Sequence, residues 1–211
     1  MTDWSTISAT ATAAGTLVLA IATFSSVRSA NRAARANERA LLAGIRPVLV
    51  PTRAQDPAEK IGFSDDVWMK VEGGRAGVLL RDEAIYFGMP LRNVGTGLAV
   101  LDRWDIYPER IMGDHASHRA PDEFRRLTRD LYVASGDQGF WQGALREPSD
   151  PLFGFVRDAI EARQTITIDL LYGDHEGGQR TVSRFAFLPR DDGDWLAVVS
   201  RHWNLDRADP R

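Results

Sequence analysis

The feature that most constrains this chain is an uncharged stretch near its N-terminus, residues 5–27, which begins at Ser5, ends at Val27 and reads STISATATAAGTLVLAIATFSSV. A helix that crosses a hydrocarbon core of about 30 Å needs roughly 20 residues, so the stretch is long enough to span a membrane. Its large apolar residues favour insertion by about 2–4 kcal/mol, a gain that one central Asp, Lys or Arg would cancel. Its Thr and Ser hydroxyls are expected to bond back to carbonyls of the preceding turn. The sequence therefore predicts a single membrane-spanning helix, and a buried or partner-packed soluble helix is the alternative.

The residues on either side of this stretch predict its orientation. The four residues before it include no Lys or Arg, whereas a cleaved signal peptide has a basic segment there. Five arginines follow it against one acidic residue, Glu38; they are Arg28, Arg32, Arg35, Arg39 and Arg46. Because Lys and Arg accumulate on the cytoplasmic side, we expect a single-pass protein of the cell membrane with its N-terminus outside and its soluble part in the cytoplasm. The first four of these arginines are expected near anionic lipid heads.

Small residues fill the first half of the span. Ala11 and Gly15 form a small-xxx-small pair, a spacing that lets two membrane helices approach closely. The pair indicates self-association or a membrane-protein partner, and a merely weakly hydrophobic span is the alternative.

Net charge and cysteine content indicate which partners and which compartment suit the part of the chain after residue 46. The whole chain has 211 residues and a net charge of −3, yet residues 28–46 carry a local charge of +4. The rest is therefore more acidic than the chain as a whole, which argues against nucleic-acid binding. The chain contains no cysteine, as expected in a reducing compartment.

The composition changes near Arg46. Residues 28–43 are rich in Ala, Arg, Leu and Glu, so the helix is expected to continue through them and to end at Gly44. Beyond them, β-branched and aromatic runs separated by Gly, Pro, Asn and Asp predict strands at 47–52, 67–72, 83–94, 98–107, 127–133, 139–145, 164–172, 179–188 and 195–203. Residues 127–133 also fit a helix, and the strand is favoured because Tyr132-Val133 precedes Ser135-Gly136. Pro90 removes a ladder donor and therefore predicts an edge strand or a bulge. A helix is expected from Asp150, as its cap, to about Arg163.

These elements predict a mainly β fold. The best architecture is an immunoglobulin-like antiparallel β-sandwich with one inserted helix, preceded by a long transmembrane and juxtamembrane helix. The expected divisions are 1–45 for the helix, 46–206 for the sandwich and 207–211 for a C-terminal tail.

Several polar or aromatic motifs are candidate sites. Phe140-Trp141-Gln142 follows a flexible SGDQG and is expected to be an exposed ligand-binding segment. Asp174-His175-Glu176 combines acids and a base at a hairpin tip, although polar residues before Gly-Gly are also typical of a tight turn. His115-x-x-His118 beside Asp114 has too few further ligands at motif spacing for zinc, and Gly95-Thr96-Gly97 lacks the rest of a phosphate loop. We therefore expect no catalytic residue, metal or cofactor.

Four motifs carry a resemblance to known proteins. They are Arg46-Pro47, LRNVGTGLA at 91–99, DLLYGDHEGGQR at 169–180 and RHWNLD at 201–206. The layout resembles a broad group of bacterial, actinobacterial-type proteins of unassigned function, with one N-terminal transmembrane helix and a cytoplasmic β-sandwich. The resemblance implies no activity and no catalytic residue.

Three functions are consistent with these observations. The first is a non-enzymatic, membrane-anchored cytoplasmic module that binds a protein. The second is a domain that senses a small ligand at a sheet edge or at residues 140–142. The third is a hydrolase that uses residues 174–176.

Overall fold

The computed structural model describes residues 4–111 and 117–208 of the chain. The chain divides into two compact units, one ending at Gly44 and the other beginning at Ile45. The first unit is helical and the second is mainly antiparallel β-sheet, which confirms the expected change of structure near Arg46.

The first unit is a single helix, α1, which spans Trp4–Gly44. At 1.5 Å per residue it is about 60 Å long, so it exceeds the thickness of a hydrocarbon core. Thr12 and Thr16 each donate a 2.9 Å hydroxyl hydrogen bond to the carbonyl four residues earlier, which confirms the expected back-bonding. The segment Ser8–Leu42 is long and apolar enough to be a membrane span or a signal sequence, and its most apolar part has no buried residue.

The second unit contains, among its described residues, eleven strands and one helix. The strands are β1 Leu49–Pro51, β2 Glu59–Gly62, β3 Trp68–Val71, β4 Arg75–Leu80, β5 Ile85–Asn93, β6 Ala99–Tyr107, β7 Arg125–Val133, β8 Gln138–Leu145, β9 Ile166–Gly173, β10 Arg180–Pro189 and β11 Trp195–Asn204. The helix α2, Phe153–Glu161, lies between β8 and β9.

Nine of these strands form one antiparallel sheet that curls into a half-barrel. The order is β1-β5-β4-β11-β10-β9-β6-β7, with β8 on the other edge of β5. The two sides of the half-barrel join where β4 meets β11, at Ala76 opposite Trp195. The coarser prediction of a mainly antiparallel β unit with an inserted helix is confirmed. The immunoglobulin-like sandwich is not confirmed, because the β4–β11 ladder makes the two sides continuous.

The main core lies between the two sides of the half-barrel. Its largest fully buried side chains include Trp141, Tyr172, Phe87, Phe185 and Phe187. The rings of Trp104 and Trp141 pack edge to face with centroids 5.4 Å apart. Trp195 also lies in this core, Trp203 is buried in a separate cluster with Phe124, and Trp68 is 58% exposed.

Two covers bury the outer faces of the sheet. The β2–β3 hairpin places Ile61, Phe63 and Val71 against Tyr86 on β5. The segment 117–124 places Phe124 against side chains of β9, β10 and β11. These covers explain why β5 and β9 are buried on both faces and lack a solvent-facing polar row.

The expectation that Pro90 marks an edge strand or a bulge is wrong. Pro90 lies in β5, which pairs with β8 on one edge and with both β4 and β1 on the other. The carbonyl of Pro90 accepts the Thr52 N–H at 3.2 Å, on the edge that β4 and β1 share end to end. The missing N–H faces the gap between those two short strands, so no ladder bond is lost.

The start of α2 also differs from the prediction. Asp150 lies in the turn before the helix, where its carbonyl accepts the Phe153 N–H and its Oδ1 accepts the Leu152 N–H. Leu152 is the N-cap residue and provides no side-chain cap. The Asp150 carboxylate instead receives two hydrogen bonds from Arg125 on β7.

Candidate functional site

The aromatic stretch predicted to be an exposed binding segment is part of strand β8. Its residues pair with β5, with Trp141 opposite Met89 and Gln142 opposite Gly88. Trp141 is fully buried in the main core, Gln142 is 4% exposed, and Phe140 is partly buried. The expected exposure of Trp141 and Gln142 is therefore wrong, because alternation along a paired strand sends one into the core and the other beneath the β2–β3 hairpin. A ligand-binding role for these three residues stays a prediction.

The second predicted site, Asp174-His175-Glu176, forms the β9–β10 turn. Asp174 is buried and its Oδ1 accepts the N–H groups of Glu176 and Gly178, each at 3.0 Å. His175 and Glu176 are exposed, and Gly177 has a positive φ of 73°. This geometry supports the turn interpretation.

The third motif is only partly described. Asp114 and His115 lie outside the described residues. His118 is described, and its ring packs edge to face against Phe124 and Trp203. Within residues 4–111 and 117–208, no group of three or more His, Asp or Glu side chains is arranged to hold a metal ion.

The two edge strands of the half-barrel, β7 and β8, define a seam. They follow one another through the turn at 134–137, yet no ladder joins them within the described pairings, since β7 pairs with β6 and β8 with β5. A cavity of about 180 Å³, here called the seam cavity, lies between them. It is lined by Phe63, Trp104, Arg125, Arg126, Thr128, Gln142, Gly143, Ala144 and Arg146.

The packing of the two indole rings beside the seam cavity requires a glycine at position 143. A Cβ at Gly143 would lie 2.7 Å from the Trp141 ring and 3.0 Å from the Trp104 ring. Gly143 therefore leaves space for the two packed indoles, and Trp104 reaches the cavity wall. The sequence reasoning missed this arrangement. β7 and β8 are consecutive in the chain, and nothing in their residues shows that they pair with different strands and leave a cavity between them.

The walls of the seam cavity are basic. Three arginines and no acidic residue line it. Arg125 is paired with Asp150, and the Nε of Arg146 lies 3.2 Å from Asp65. Arg126 is exposed, and among the described residues no carboxylate lies within ion-pair distance of it. Partial burial opposes ionisation of Asp150, but hydrogen bonds from Arg125 and Leu152 outweigh it and lower the pKa of its carboxyl.

One polar atom of Gln142, a residue that lines the seam cavity, has no partner among the described residues. The Oε1 of Gln142 is buried and accepts no hydrogen bond from any described residue. A buried acceptor left without a donor costs about 1–3 kcal/mol. Because this oxygen has almost no accessible surface, a ligand in the seam cavity could not donate to it, and what the cavity offers is the positive charge of its arginines.

A second charged cluster lies on the outer face of the other side of the half-barrel. Asp105, Asp169 and Arg184 stand opposite one another on β6, β9 and β10. Arg184 donates to Asp169 through Nε at 2.7 Å and Nη2 at 2.6 Å, and both side chains are almost fully buried. Arg119 donates to both oxygens of Asp105 at 3.1 Å. The cluster holds the segment 117–124 onto the sheet, because Arg184 also donates to the Ser117 carbonyl.

Protonation in this cluster is fixed by burial and neighbouring charge. Burial disfavours the charged guanidinium, but Asp169 outweighs that effect and raises the pKa of Arg184. Burial, together with Asp169 and Asp105, raises the pKa of Tyr107 well above its ordinary value. Burial raises the pKa of Asp169; Arg184 opposes this effect and Asp105 adds to it. The cluster is therefore a buried ion pair beside a neutral phenol.

Residues 45–48, here called the junction, are fastened to the β unit by side chains of the resemblance motifs. Arg46 is 9% exposed and donates to Asn204 Oδ1 at 2.9 Å and to the Asp206 carboxylate. Asn93 Oδ1 accepts the Val48 N–H at 3.1 Å, and its amide group donates to the Gly97 carbonyl. Three of the four motifs therefore meet at the junction.

A chain of hydroxyl bonds continues inward from the junction. The Leu49 N–H donates to the Tyr172 hydroxyl at 3.1 Å, and that hydroxyl lies 2.8 Å from Ser183 Oγ. Ser183 Oγ lies 2.6 Å from His202 Nδ1. A Ser–His pair is found in nucleophilic catalysis, but Ser183 is fully buried and shares its hydroxyl with Tyr172. These hydrogen bonds link β1, β9, β10 and β11, and we assign them a structural role, not a catalytic one.

We expect His202 to make stability depend on pH. Burial lowers the pKa of His202, so folding favours its neutral form. Its contribution is complete above the unfolded-state pKa of about 6.5 and is lost as the pH falls toward the lower folded-state value. The free energy of unfolding should therefore decrease below about pH 6.5, and His202→Gln should reduce that slope. Urea unfolding of the full chain in detergent micelles, followed by tryptophan fluorescence, measures both.

The exposed His175 provides a matched control for His202. His175→Gln should leave the pH slope unchanged, since its side chain lies in solvent. A slope that stays the same in His202→Gln would contradict the assignment.

A scan against protein-family models and a search of curated proteins found no match. The resemblance to actinobacterial-type membrane-anchored proteins therefore stays a prediction. The layout behind it, one apolar N-terminal helix before a β-rich unit, is shown by the structure.

Proposed function

We propose that this protein is a single-pass cell-membrane protein whose β unit acts in the cytoplasm as a non-enzymatic binding module for a protein partner. The observation that carries the proposal is the exposure of apolar side chains on every side of α1. The consecutive residues Leu17, Val18 and Leu19 are 62%, 65% and 69% exposed. Apolar residues on all faces of a helix require a lipid or protein surface around them, and a bilayer provides one along the whole stretch.

The charge of the helix supports the proposed orientation. Arg28, Arg32, Arg35 and Arg39 are exposed and follow the apolar part of α1 directly. Arginines at this position favour the cytoplasmic side and anionic lipid heads. The proposed topology has the N-terminus outside the cell and the β unit in the cytoplasm. The bacterial group that the sequence resembles has the same layout.

Membrane extraction tests the anchor. We expect the full chain to stay in the membrane pellet after alkaline carbonate treatment, and a version that begins at residue 46 to be released completely. Recovery of the full chain in the soluble fraction would overturn the proposal.

Orientation is tested with single cysteines, because the chain contains none. A membrane-impermeant maleimide should label Thr2→Cys in intact cells and should label Ser149→Cys only after lysis. Ser149 is an exposed residue of the β unit. The reverse labelling pattern would reverse the proposed sense.

Proximity labelling then addresses the binding role. A labelling enzyme fused to the C-terminus should mark the same few partners at the membrane in repeated experiments. A version that begins at residue 46 distinguishes two roles for α1: retained partners would make α1 an address only, and lost partners would make α1 part of the binding surface. Labelling no different from that of an unrelated anchored domain would argue against a binding module.

A second candidate function, binding of a small ligand, is favoured by the seam cavity. It lies at the unpaired edges of β7 and β8 and includes Gln142. The sequence had predicted ligand binding either at a sheet edge or at residues 140–142, and the seam cavity includes both.

A further inference from the structure

We propose that the open edge of β4, residues 77–80, binds an extended, apolar segment of a partner protein as an additional strand, antiparallel to β4 and with an acidic residue at its C-terminal end. This inference rests on the proposed protein-binding function, because it names the place and the chemistry of that binding. It does not depend on the seam cavity.

The two edges of β4 are used differently. One edge pairs with β5 along residues 77–80, whereas the other pairs with β11 only at the two preceding residues. The Arg81 N–H donates to the Ala84 carbonyl at 2.9 Å, in line with the β4–β5 ladder. Because consecutive residues of an antiparallel strand bond to opposite edges, the backbone groups of Val78 and Leu80 point away from β5. Among the described residues, no hydrogen bond occupies these groups.

The open edge lacks the features that usually prevent further pairing. Natural sheets protect an edge with charged side chains, with proline or with a covering segment. The edge strand β7 carries Arg125, Arg126 and Arg129, whereas residues 77–80 read GVLL. A groove of about 410 Å³, here called the β4 groove, is lined by β4 and leaves room beside this edge. Its volume lies within the range of ligand-binding clefts.

Apolar side chains line the β4 groove on both faces of the edge. Val78 and Leu80 pack against the main core, and Leu79 packs against the cluster beneath the β2–β3 hairpin. A strand paired with this edge would therefore meet apolar side chains on both of its own faces. The apolar residues that other elements contribute to the groove are Met69, Val71, Ile160 and Trp195. This lining selects an apolar segment, and the unpaired backbone groups select an extended one.

One charge at the β4 groove indicates where the partner carries an acid. Arg163 lines the groove, and its guanidinium lies 4.7 Å from the centre of the Trp195 ring. It donates three hydrogen bonds to carbonyls of residues 190–194, and among the described residues no carboxylate lies within ion-pair distance of it. The other basic lining residues, Lys70 and Arg75, are each paired with a carboxylate. Because a guanidinium has five N–H groups, Arg163 can still bind an acidic side chain.

The position of Arg163 fixes the direction of the partner segment. β11 is antiparallel to β4 and begins at Trp195, beside Arg163. A segment that extends the row of β11 along residues 77–80 and is also antiparallel to β4 has its C-terminal end near Trp195. Antiparallel pairing is the more stable kind, so the acid belongs at that end. The open edge is about 13 Å long and pairs with about four residues.

Amide hydrogen exchange of the full chain in phosphatidylcholine nanodiscs, with one copy per disc, tests the inference. The probe is the peptide acetyl-TVIVTE-amide. With the peptide at saturation, we expect exchange at Val78 and Leu80 to slow at least tenfold, because strand pairing protects their outward N–H groups. The Leu79 N–H, which faces β5, should be unchanged. Unchanged exchange at Val78 and Leu80 at millimolar peptide would overturn the site.

Two altered peptides separate the contributions of backbone and charge. Methylation of the backbone nitrogens that face the edge should abolish the protection, since it removes the donors of the added strand. The peptide acetyl-TVIVTK-amide should bind roughly tenfold more weakly, because it places a second cation beside Arg163. Equal binding of the methylated peptide would overturn strand pairing, and equal binding of the lysine peptide would overturn the role of Arg163.

A second copy of the chain is the competing occupant of the open edge. Discs that hold two copies should show the same exchange at Val78 and Leu80 as discs that hold one. Protection of these two N–H groups in two-copy discs without any peptide would assign the edge to self-association. That result would overturn the partner segment.

A proline variant relates the open edge to the partners found by proximity labelling. Val78→Pro removes an outward N–H and leaves the ladder to β5 intact, whereas Val78→Ala keeps that N–H. Val78→Pro should lose the partners that the unaltered chain and Val78→Ala mark. Partners retained by Val78→Pro would overturn this inference alone, whereas an unaltered chain without specific partners would overturn the proposed binding function. If Val78→Pro does not fold, the peptide experiments on the unaltered chain decide the inference.

Discussion

Replacing Arg184 with Met is expected to lower the free energy of unfolding by about 3–5 kcal/mol. The substitution removes the cation that forms two hydrogen bonds to the fully buried Asp169, and Asp105 lies opposite the same carboxylate. An unpaired buried charge is far more costly than the loss of a surface ion pair. The segment 117–124 also loses its bond to Arg184. Urea unfolding of the full chain in detergent micelles, followed by tryptophan fluorescence, measures the change.

Two controls separate the buried charge from the loss of an arginine as such. Arg180→Met, at an exposed position on the same strand, should change the free energy of unfolding by no more than about 0.5 kcal/mol. The double variant Asp169→Leu with Arg184→Met should recover most of the loss, because two apolar side chains leave no charge behind. If the double variant were as unstable as the single one, side-chain packing rather than charge would explain the effect.

This pair shows what strand alternation in the sequence cannot reveal. Asp169 alternates with Ile168 and Leu170, a pattern that predicts a polar residue facing solvent. The structure buries both faces of β9, because the segment 117–124 covers the outer one. The segment 117–124 lies 45 or more residues before Asp169 in the chain, so the residues around Asp169 give no sign that it covers β9. It turns a predicted solvated carboxylate into a buried ion pair.

Other parts of the fold could be predicted because their signals are local. The three C-terminal strands alternate clearly and are separated by Gly-rich and Asp-rich turns, and the structure contains all three and pairs them in the order of the chain. Strands β2 and β4, in contrast, are not among the strands that the sequence predicts. Each has few buried side chains, and β4 follows a Gly-Gly turn with only six residues. Their positions depend on β5, which was itself expected to lie at an edge or to carry a bulge.

The candidate site was less predictable than the fold. Gln142 was singled out for the wrong reason, since it is buried and not exposed. Arg125, Arg126 and Arg146 were not singled out at all, because charged residues along edge strands usually face solvent. What brings them together is the divergence of β7 and β8 to opposite sides of the half-barrel. Strand order of this kind follows from long-range pairing and not from the pattern of any one segment.

Residues of the resemblance motifs form the contacts that hold the junction, residues 45–48, against the β unit. Gly95-Thr96-Gly97 connects β5 and β6, which do not pair with each other, and its glycines lie against the backbone of residues 45–48. A Cβ at Gly97 would overlap the carbonyl oxygen of Ile45. Gly97 does not adopt a positive φ, so the reason for glycine here is space and not backbone conformation. The turn and the junction are therefore packed backbone to backbone.

Gly97→Ala is accordingly expected to lower the free energy of unfolding by about 3 kcal/mol, at the upper end of the usual effect of overpacking. The overlapping atom belongs to the backbone, so no side-chain rotation relieves it and residues 45–48 must shift. That shift would disturb the bonds of Arg46 to Asn204 and Asp206. Besides urea unfolding, amide hydrogen exchange should show faster exchange at Val48, whose N–H donates to Asn93.

Gly154→Ala is the matched control, because it makes the same chemical change where space is free. No atom lies within 4 Å of a Cβ built at Gly154, which is in α2. This variant should raise the free energy of unfolding by about 0.5–1 kcal/mol, since Ala favours helix over Gly. If Gly97→Ala were as stable as the unaltered chain, the junction would tolerate a displaced Ile45 carbonyl. The close backbone contact would then not be what fastens residues 45–48 to the β unit.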